Sequence, residues 1–267
     1  MKAALKWFDV LMMSTRIGFR DLAAIYTWRT WTFGWFLRLV AQVVFFTAIG
    51  LMAGTEARVQ YMAVGNSAAV ACIEAMVVIT ATVRERSLGT LALQVAAPTS
   101  FVLTYIARGL YCLVIGTASS TGVFFIVMLI FGFPVSLGTA LLVPLFMLLV
   151  GASSYCMGIA MGAIVCRAPA TQWLALNLSY LSVMTFCGVN VPVGYWPSVI
   201  QRIADVLPLT HGLHSLRAFI GGRPAGEVVN GLLLELLVGV GWMAVGVLLL
   251  RWAVAGERRR GTIELSA

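Results

Sequence analysis

Six apolar runs alternate with short polar connections along the chain. They cover approximately residues 33–53, 61–82, 102–131, 138–165, 173–193 and 228–252. An α-helix needs about 20 apolar residues to cross a bilayer core. Backbone polar groups in lipid must be satisfied within the segment, so these runs are helices rather than isolated strands. The pattern predicts an all-α integral membrane protein with six transmembrane helices.

The first 31 residues have a different, amphipathic pattern. Charged side chains recur at helical spacing on one side, at Lys2, Lys6, Asp9, Arg16 and Arg20. Apolar side chains take the other side, at Leu5, Phe8, Met12 and Phe19. This predicts an N-terminal interfacial helix over 1–31, ahead of a permease domain over 32–255 and a cytoplasmic tail over 256–267. A cleaved signal peptide is the alternative, but Asp9 and Arg16 interrupt its apolar core.

Prolines interrupt the chain between the fifth and sixth runs, over residues 192–224. Pro192, Pro197 and Pro208 leave two short amphipathic segments, Val199–Val206 and Leu213–Ile220. Both segments are too short to cross a bilayer. We therefore expect two short re-entrant helices in the outer leaflet that act as a gate. The candidate gate residues are Pro208, His211, His214, Arg217, Gly221 and Gly222.

Composition supports the membrane assignment and sets the orientation. Apolar residues make up 61% of the chain and charged residues 10%, whereas soluble proteins carry about 25% charged residues. With the N-terminus inside, 13 Lys and Arg side chains fall on the inner side and four on the outer side. The positive-inside rule then places both termini in the cytoplasm. We expect a multi-pass protein of a bacterial cytoplasmic membrane that binds lipid, and no nucleic acid, despite the net charge of +8.

Several kinds of chemistry are disfavoured. Lysine occurs only at Lys2 and Lys6, so no Gly-Lys-Ser/Thr of a phosphate-binding loop is present. The five cysteines lie in or beside apolar runs and are expected to be small core residues. His211 and His214 are three residues apart, but a metal site needs further ligands. The sequence therefore predicts no enzyme active site, metal or cofactor in this chain.

The connection between the second and third runs, Arg84–Ser100, has its own helical pattern. Its apolar stripe comprises Leu88, Leu91, Ala92 and Val95, and Pro98 ends it. Leu93 lies off this stripe and would be exposed unless a partner covered it. An ordinary helical loop between two spans is the alternative.

Two groups of residues resemble type-2 ABC transporter permeases. Glu85, Gly89-Thr90-Leu91 and Pro98 resemble the cytoplasmic signature of that family, although Ala92 stands where the family often has Glu. The Pro-Leu-Thr-His sequence at 208–211, with Arg217 and Gly221-Gly222, resembles the outer region of the drug and lipo-oligosaccharide export branch.

The resemblance implies a coupling helix over 84–100 that docks on a separate ATPase. Its implied coupling residues are Arg84, Glu85, Arg86, Gly89, Thr90, Leu93 and Pro98. It also implies two ATPase subunits, which bind ATP and Mg, and a second permease that is identical or related. The implied function is ATP-driven export of a hydrophobic or amphipathic drug, antibiotic or lipid-like compound.

Other functions remain open at this stage. Polysaccharide or lipid-linked oligosaccharide export would use aromatic side chains such as Phe45, Phe46, Trp173 and Tyr180. An ion-coupled secondary transporter or channel would use the intramembrane charges Arg38, Glu74 and Glu235. A membrane assembly subunit without transport activity is a third class.

Two of the intramembrane charges are predicted to lie at similar depths. Arg38 and Glu74 fall roughly 8 and 12 Å from the cytoplasmic edge at 1.5 Å per residue. An ion pair between them is one expectation. The alternative is that Arg38 extends to the headgroups and Glu74 is protonated or hydrated.

Overall fold

The computed structural model describes residues 2–52, 54–80, 84, 100–166 and 168–260, and these ranges contain helices and no strand. A seven-residue π-helix, Thr30–Phe36, precedes α2. The α-helices are α1 (Lys2–Ile25), α2 (Leu37–Met52), α3 (Glu56–Met76), α4 (Phe101–Ile130), α5 (Leu137–Val165), α6 (Gln172–Phe186), α7 (Ser198–Val206), α8 (Thr210–Ile220) and α9 (Ala225–Arg260).

Five helical segments within the described residues have the length and apolar content to cross a membrane. They are Thr30–Met52, Glu56–Thr80, Phe101–Ile130, Leu137–Val165 and Ala225–Ala253. This confirms the all-helical membrane protein and five of the six predicted runs. The fifth run forms α6, which has 15 residues.

Helix α6 ends at Phe186 rather than near residue 193. Gly188 has φ +81, a left-handed conformation that a helix does not continue through. Pro192 follows, and it has no backbone N–H for a helical hydrogen bond. The apolar side chains at 187, 189 and 191 made this irregular stretch look like the rest of a span.

Helix α3 is the centre of the bundle and packs against α2, α4 and α5. Small residues on its neighbours allow the close approach: a Cβ at Gly116 of α4 would lie 3.2 Å from the Ala71 carbonyl oxygen. Gly158 of α5 likewise faces Val78. Such packing of small residues is how helices associate in lipid. It encloses the polar side chains of Asn66 and Glu74 in the interior.

Helix α1 spans Lys2–Ile25, within the predicted N-terminal segment 1–31, and lies against α4. Asp21 forms an ion pair with Arg108 at 2.7 Å. Thr15 Oγ1 donates to the Ala107 carbonyl at 3.2 Å. A Cβ at Gly18 would collide with the Arg108 carbonyl oxygen. Small and polar residues make this contact, which leaves the apolar Phe19 exposed.

The bundle has two ends, which we name by their landmarks. At the Arg84 end, α2 begins, α3 ends, α4 begins and α1 docks. At the hairpin end, the chain leaves α6 and forms α7 and α8 before α9 begins. The two short helices predicted in the 192–224 region are therefore present. We call α7 and α8 the hairpin.

Candidate functional site

Glu235, on α9, binds the beginning of α8. Its side chain is fully buried. Its carboxylate accepts hydrogen bonds from the backbone N–H groups of Leu209 at 2.8 Å and Gly212 at 2.9 Å, and from the Ser153 hydroxyl. The first N–H groups of a helix have no partner within it and carry partial positive charge. Glu235 therefore caps α8 with a negative charge from another helix.

The turn before α8 has an unusual backbone. Leu209 has φ +84, which L-residues with a bulky side chain rarely adopt, and its side chain is fully buried. Pro208 lies in this turn and is also buried. The hydrogen bond from Leu209 N–H to Glu235 and the burial of the leucine side chain hold the turn in place.

Arg217, in the last turn of α8, binds the carbonyl groups left free where α6 ends. Its guanidinium donates to the Gly188 carbonyl at 2.8 Å, the Val189 carbonyl at 3.0 Å and the Tyr61 carbonyl at 2.8 Å. It also lies over the Tyr61 ring, 3.3 Å from the centroid. An arginine is permanently charged and has five donors, so it can satisfy several carbonyl groups at once.

Helix α8 is thus held at both ends by charged groups. Glu235 holds its beginning to α9, and Arg217 holds its last turn to α3 and the end of α6. The other predicted gate residues are at the surface of this arrangement. His211 Nε2 lies 3.0 Å from the Asp205 carbonyl oxygen, and His214 lies 3.7 Å from Glu227. Gly221 and Gly222 end α8, with φ +67 at Gly222.

At the Arg84 end, Trp35 lies between the two charges predicted to pair. Its indole N–H donates to both carboxylate oxygens of Glu74 at 2.9 Å. The Arg38 guanidinium lies over the Trp35 ring, 4.4 Å from the centroid. No ion pair within 4.0 Å joins Arg38 to Glu74, both of which are described. Arg38 and Glu74 therefore contact opposite parts of one side chain, the Trp35 indole, rather than each other.

The π-helix places two tryptophans beside Glu74. Trp31 and Trp35 both line a cavity of about 160 Å³ at this end, together with Tyr26 and Tyr111. A π-helix is rare and is frequently found at functional sites, because its extra residue changes the direction of the side chains that follow.

The predicted coupling segment lies largely outside the described residues. Glu85, Arg86, Gly89, Thr90, Leu93 and Pro98 are not described. Arg84 is described and lines the same cavity as Glu74, and its Nη2 lies 3.4 Å from the Tyr111 hydroxyl.

The family model for the ABC-2 type transporter matches residues 23–220, which is well over half of the chain. The chain belongs to the ABC-2 type transporter family. A search of curated proteins found no significant match. ABC-2 permeases are membrane transport components that work with ABC ATPase partners, so this permease is a multi-pass membrane protein of that kind.

Sequence reasoning did not assign several residues that organise this permease. Trp35, Tyr61, Ser153 and Asn190 were given no role at the site. Asn66 donates to the Asn190 side chain at 2.8 Å and so links α3 to the stretch after α6. The available signal was that Asn66 and Asn190 lie within or beside apolar runs, because a buried amide needs a hydrogen-bond partner.

Proposed function

We propose that this permease is half of the membrane pathway of an ATP-driven exporter. Its cargo is a hydrophobic or amphipathic compound, such as a drug, an antibiotic or a lipid-like molecule. The observation that carries the proposal is the family match over residues 23–220. Few charges lie inside the bundle, and Arg38, Glu74 and Glu235 all have protein partners, which favours an amphipathic cargo over an ion.

The membrane topology follows from the helix arrangement and the distribution of charge. The Arg84 end carries most of the Lys and Arg residues, so it faces the cytoplasm and the hairpin end faces outward. Helix α6 has 15 residues and is about 22 Å long, so by itself it is too short to cross a hydrocarbon core of about 30 Å. The 3₁₀ turn Pro169–Thr171 before it and the Arg217-bound stretch after it complete a sixth crossing. Both termini are then cytoplasmic.

The assembly contains two permeases and two ATPase subunits. ATP and Mg are bound by the ATPase, which docks on the coupling helix over 84–100. Helix α1 lies in the cytoplasmic interface, where its exposed Met12 and Phe19 contact lipid. Two copies of this chain, or this chain and a related one, surround the cargo path. The hairpin forms the outer gate of that path.

The docking of the ATPase is tested by pull-down with detergent-solubilised permease. Leu93→Asp places a charge off the membrane-facing stripe of the coupling helix, so it should release the ATPase and abolish export while the bundle stays folded. Leu91→Asp, on the stripe, is the control and should lower the amount of folded permease instead. Wild-type ATPase retention and export by Leu93→Asp would rule out this docking surface. An ion-coupled transporter would bring down no ATPase even as the wild-type chain.

A further inference from the structure

The cavity at the Arg84 end is built mainly of aromatic and aliphatic walls around one carboxylate. Leu22 comes from α1, Tyr26 directly follows α1, Trp31 and Trp35 come from the π-helix, and Tyr111 comes from α4. Glu74 reaches it from α3. The cavity is partly open and holds about 160 Å³, enough for a small head group and too little for a whole amphipathic molecule.

The Glu74 carboxylate has capacity for a further partner. Its residue is only 5% exposed, and among the described residues both oxygens share a single donor, the Trp35 indole N–H. An ionised carboxylate offers about four acceptor positions. A carboxylate removed from water is costly unless a cation or further donors compensate it. Arg38 binds the face of Trp35 instead of Glu74, so it leaves the carboxylate without a direct ion pair among the described residues.

We propose that this cavity binds the protonated amine head of an amphipathic compound, with Glu74 as its counter-ion. The rings of Tyr26, Trp31 and Tyr111 supply faces that attract an ammonium group. The apolar remainder of the ligand extends out through the open side of the cavity. Arg84 lines the cavity and Arg38 lies over the Trp35 ring, and both repel a cation. A ligand with one positive charge is therefore favoured over a ligand with two. This proposal rests on the proposed function, because it names the substrate class of the exporter.

The cavity also adjoins the start of the coupling segment. Arg84 is both a wall of the cavity and the first residue of the 84–100 connection. A ligand bound at Glu74 therefore contacts the residue through which the second span is joined to the coupling segment. Loading of the cavity would be transmitted to the ATPase by that route.

The test measures binding to the permease alone, in dodecyl maltoside micelles that contain no amine. The probes are tritiated octylamine, which is protonated at neutral pH, and tritiated octanol, its neutral counterpart. Octylamine should bind saturably by scintillation proximity, and Glu74→Gln should weaken it by about tenfold or more through loss of the desolvated charge pair. Glu56→Gln is the matched control, since Glu56 is exposed at the other end of the same helix. It should bind octylamine like wild type.

Two tryptophan variants keep the test decisive if Glu74→Gln folds poorly. Trp31→Leu removes a cavity ring and should weaken octylamine binding severalfold. Trp35→Phe keeps an aromatic ring and removes the indole N–H together with the smaller ring that carries it, so it should retain binding. Equal octylamine binding by wild type and a folded Glu74→Gln would overturn the proposal. So would saturable octanol binding as tight as that of octylamine, or unchanged binding by Trp31→Leu.

The origin of the amine is decided by adding phosphatidylethanolamine to the micelles. Competition with octylamine identifies a lipid head group as the occupant, and no competition identifies a free amphipathic amine. Because the assay contains no ATPase, it separates the two proposals. Amine binding by a permease that retains no ATPase would support the amine site and contradict the exporter assignment. ATPase retention by a permease that binds no amine would contradict the amine site alone.

Discussion

Two buried charges in this permease, Glu235 and Arg217, bind backbone groups at helix ends. Glu235 accepts two backbone N–H groups at the beginning of α8, and Arg217 donates to carbonyl groups where α6 stops. Each charge thereby compensates partial charges that the fold itself creates by breaking helices inside a membrane. A buried charge that satisfies the backbone is structural first, and it becomes functional if the helix it holds must move.

Neutralising Glu235 should loosen the beginning of α8. Glu235→Gln keeps the size of the side chain but leaves a single oxygen to accept from two N–H groups and a hydroxyl. We expect a loss of about 1–2 kcal/mol in stability, the range of a strong helix cap. Hydrogen exchange over residues 207–216 should become faster. Glu56→Gln, at an exposed position of α3, is the control and should leave that exchange unchanged; equal protection in both variants would contradict the capping role.

The contact between Glu74 and Trp35 shows what can be predicted by counting residues along a span and what cannot. Counting residues placed Arg38 and Glu74 near the same level, and both do contact Trp35. The count assumed ordinary α-helix, so it did not foresee a π-helix that directs Trp35 toward Glu74. Helix periodicity predicts depth along a span, whereas the direction of a side chain depends on local backbone geometry.

At the scale of elements, the sequence predicted most of the helices but did not predict where α6 ends. Apolar runs at 33–53, 61–82, 102–131, 138–165 and 228–252 correspond to the five spanning segments, because length and hydropathy decide insertion. The end of α6 was missed, because its irregular stretch remains apolar while its carbonyl groups are satisfied from a distant Arg217. The cap on α8 was missed for the same reason. Both depend on contacts between segments far apart in the chain.

The docking of α1 on α4 depends on close backbone approach at Gly18. Adding one methyl group with Gly18→Ala would place a Cβ against the Arg108 carbonyl, so α1 must shift outward. We expect a loss of about 1–3 kcal/mol from overpacking and weaker octylamine binding, since α1 forms one wall of the cavity.

Gly34→Ala adds the same group where no atom lies within 4 Å and serves as the control. Its thermal midpoint in detergent should match or exceed that of wild type. If Gly18→Ala unfolds at the wild-type temperature and binds octylamine normally, the close contact between α1 and α4 is unimportant.

On the scale of the whole molecule, the two ends of the bundle differ in how they are held. The Arg84 end contains a partly open cavity and an N-terminal helix fixed by a few polar contacts. At the hairpin end, Glu235 and Arg217 join α8 to α3, α6 and α9. Much of α2 and α9 is apolar and exposed, as a surface toward lipid or a second permease requires. If the permease exports as proposed, cargo that enters at the Arg84 end leaves past the hairpin, and α8 must then move against α9.

A disulfide between α8 and α9 tests whether this movement occurs. A Cβ at Gly231 would lie 3.4 Å from the Ser215 Cβ, close to the separation of about 3.5–4.5 Å found in disulfides. The variant carrying Ser215→Cys and Gly231→Cys should therefore oxidise readily. In its oxidised form we expect ATPase retention at the wild-type level and loss of ATP-dependent transport of rhodamine 6G into inside-out vesicles. Reduction should restore transport, and each single variant should transport under both conditions. Wild-type transport with the disulfide fully formed would show that α8 stays fixed on α9 and that cargo leaves by another route.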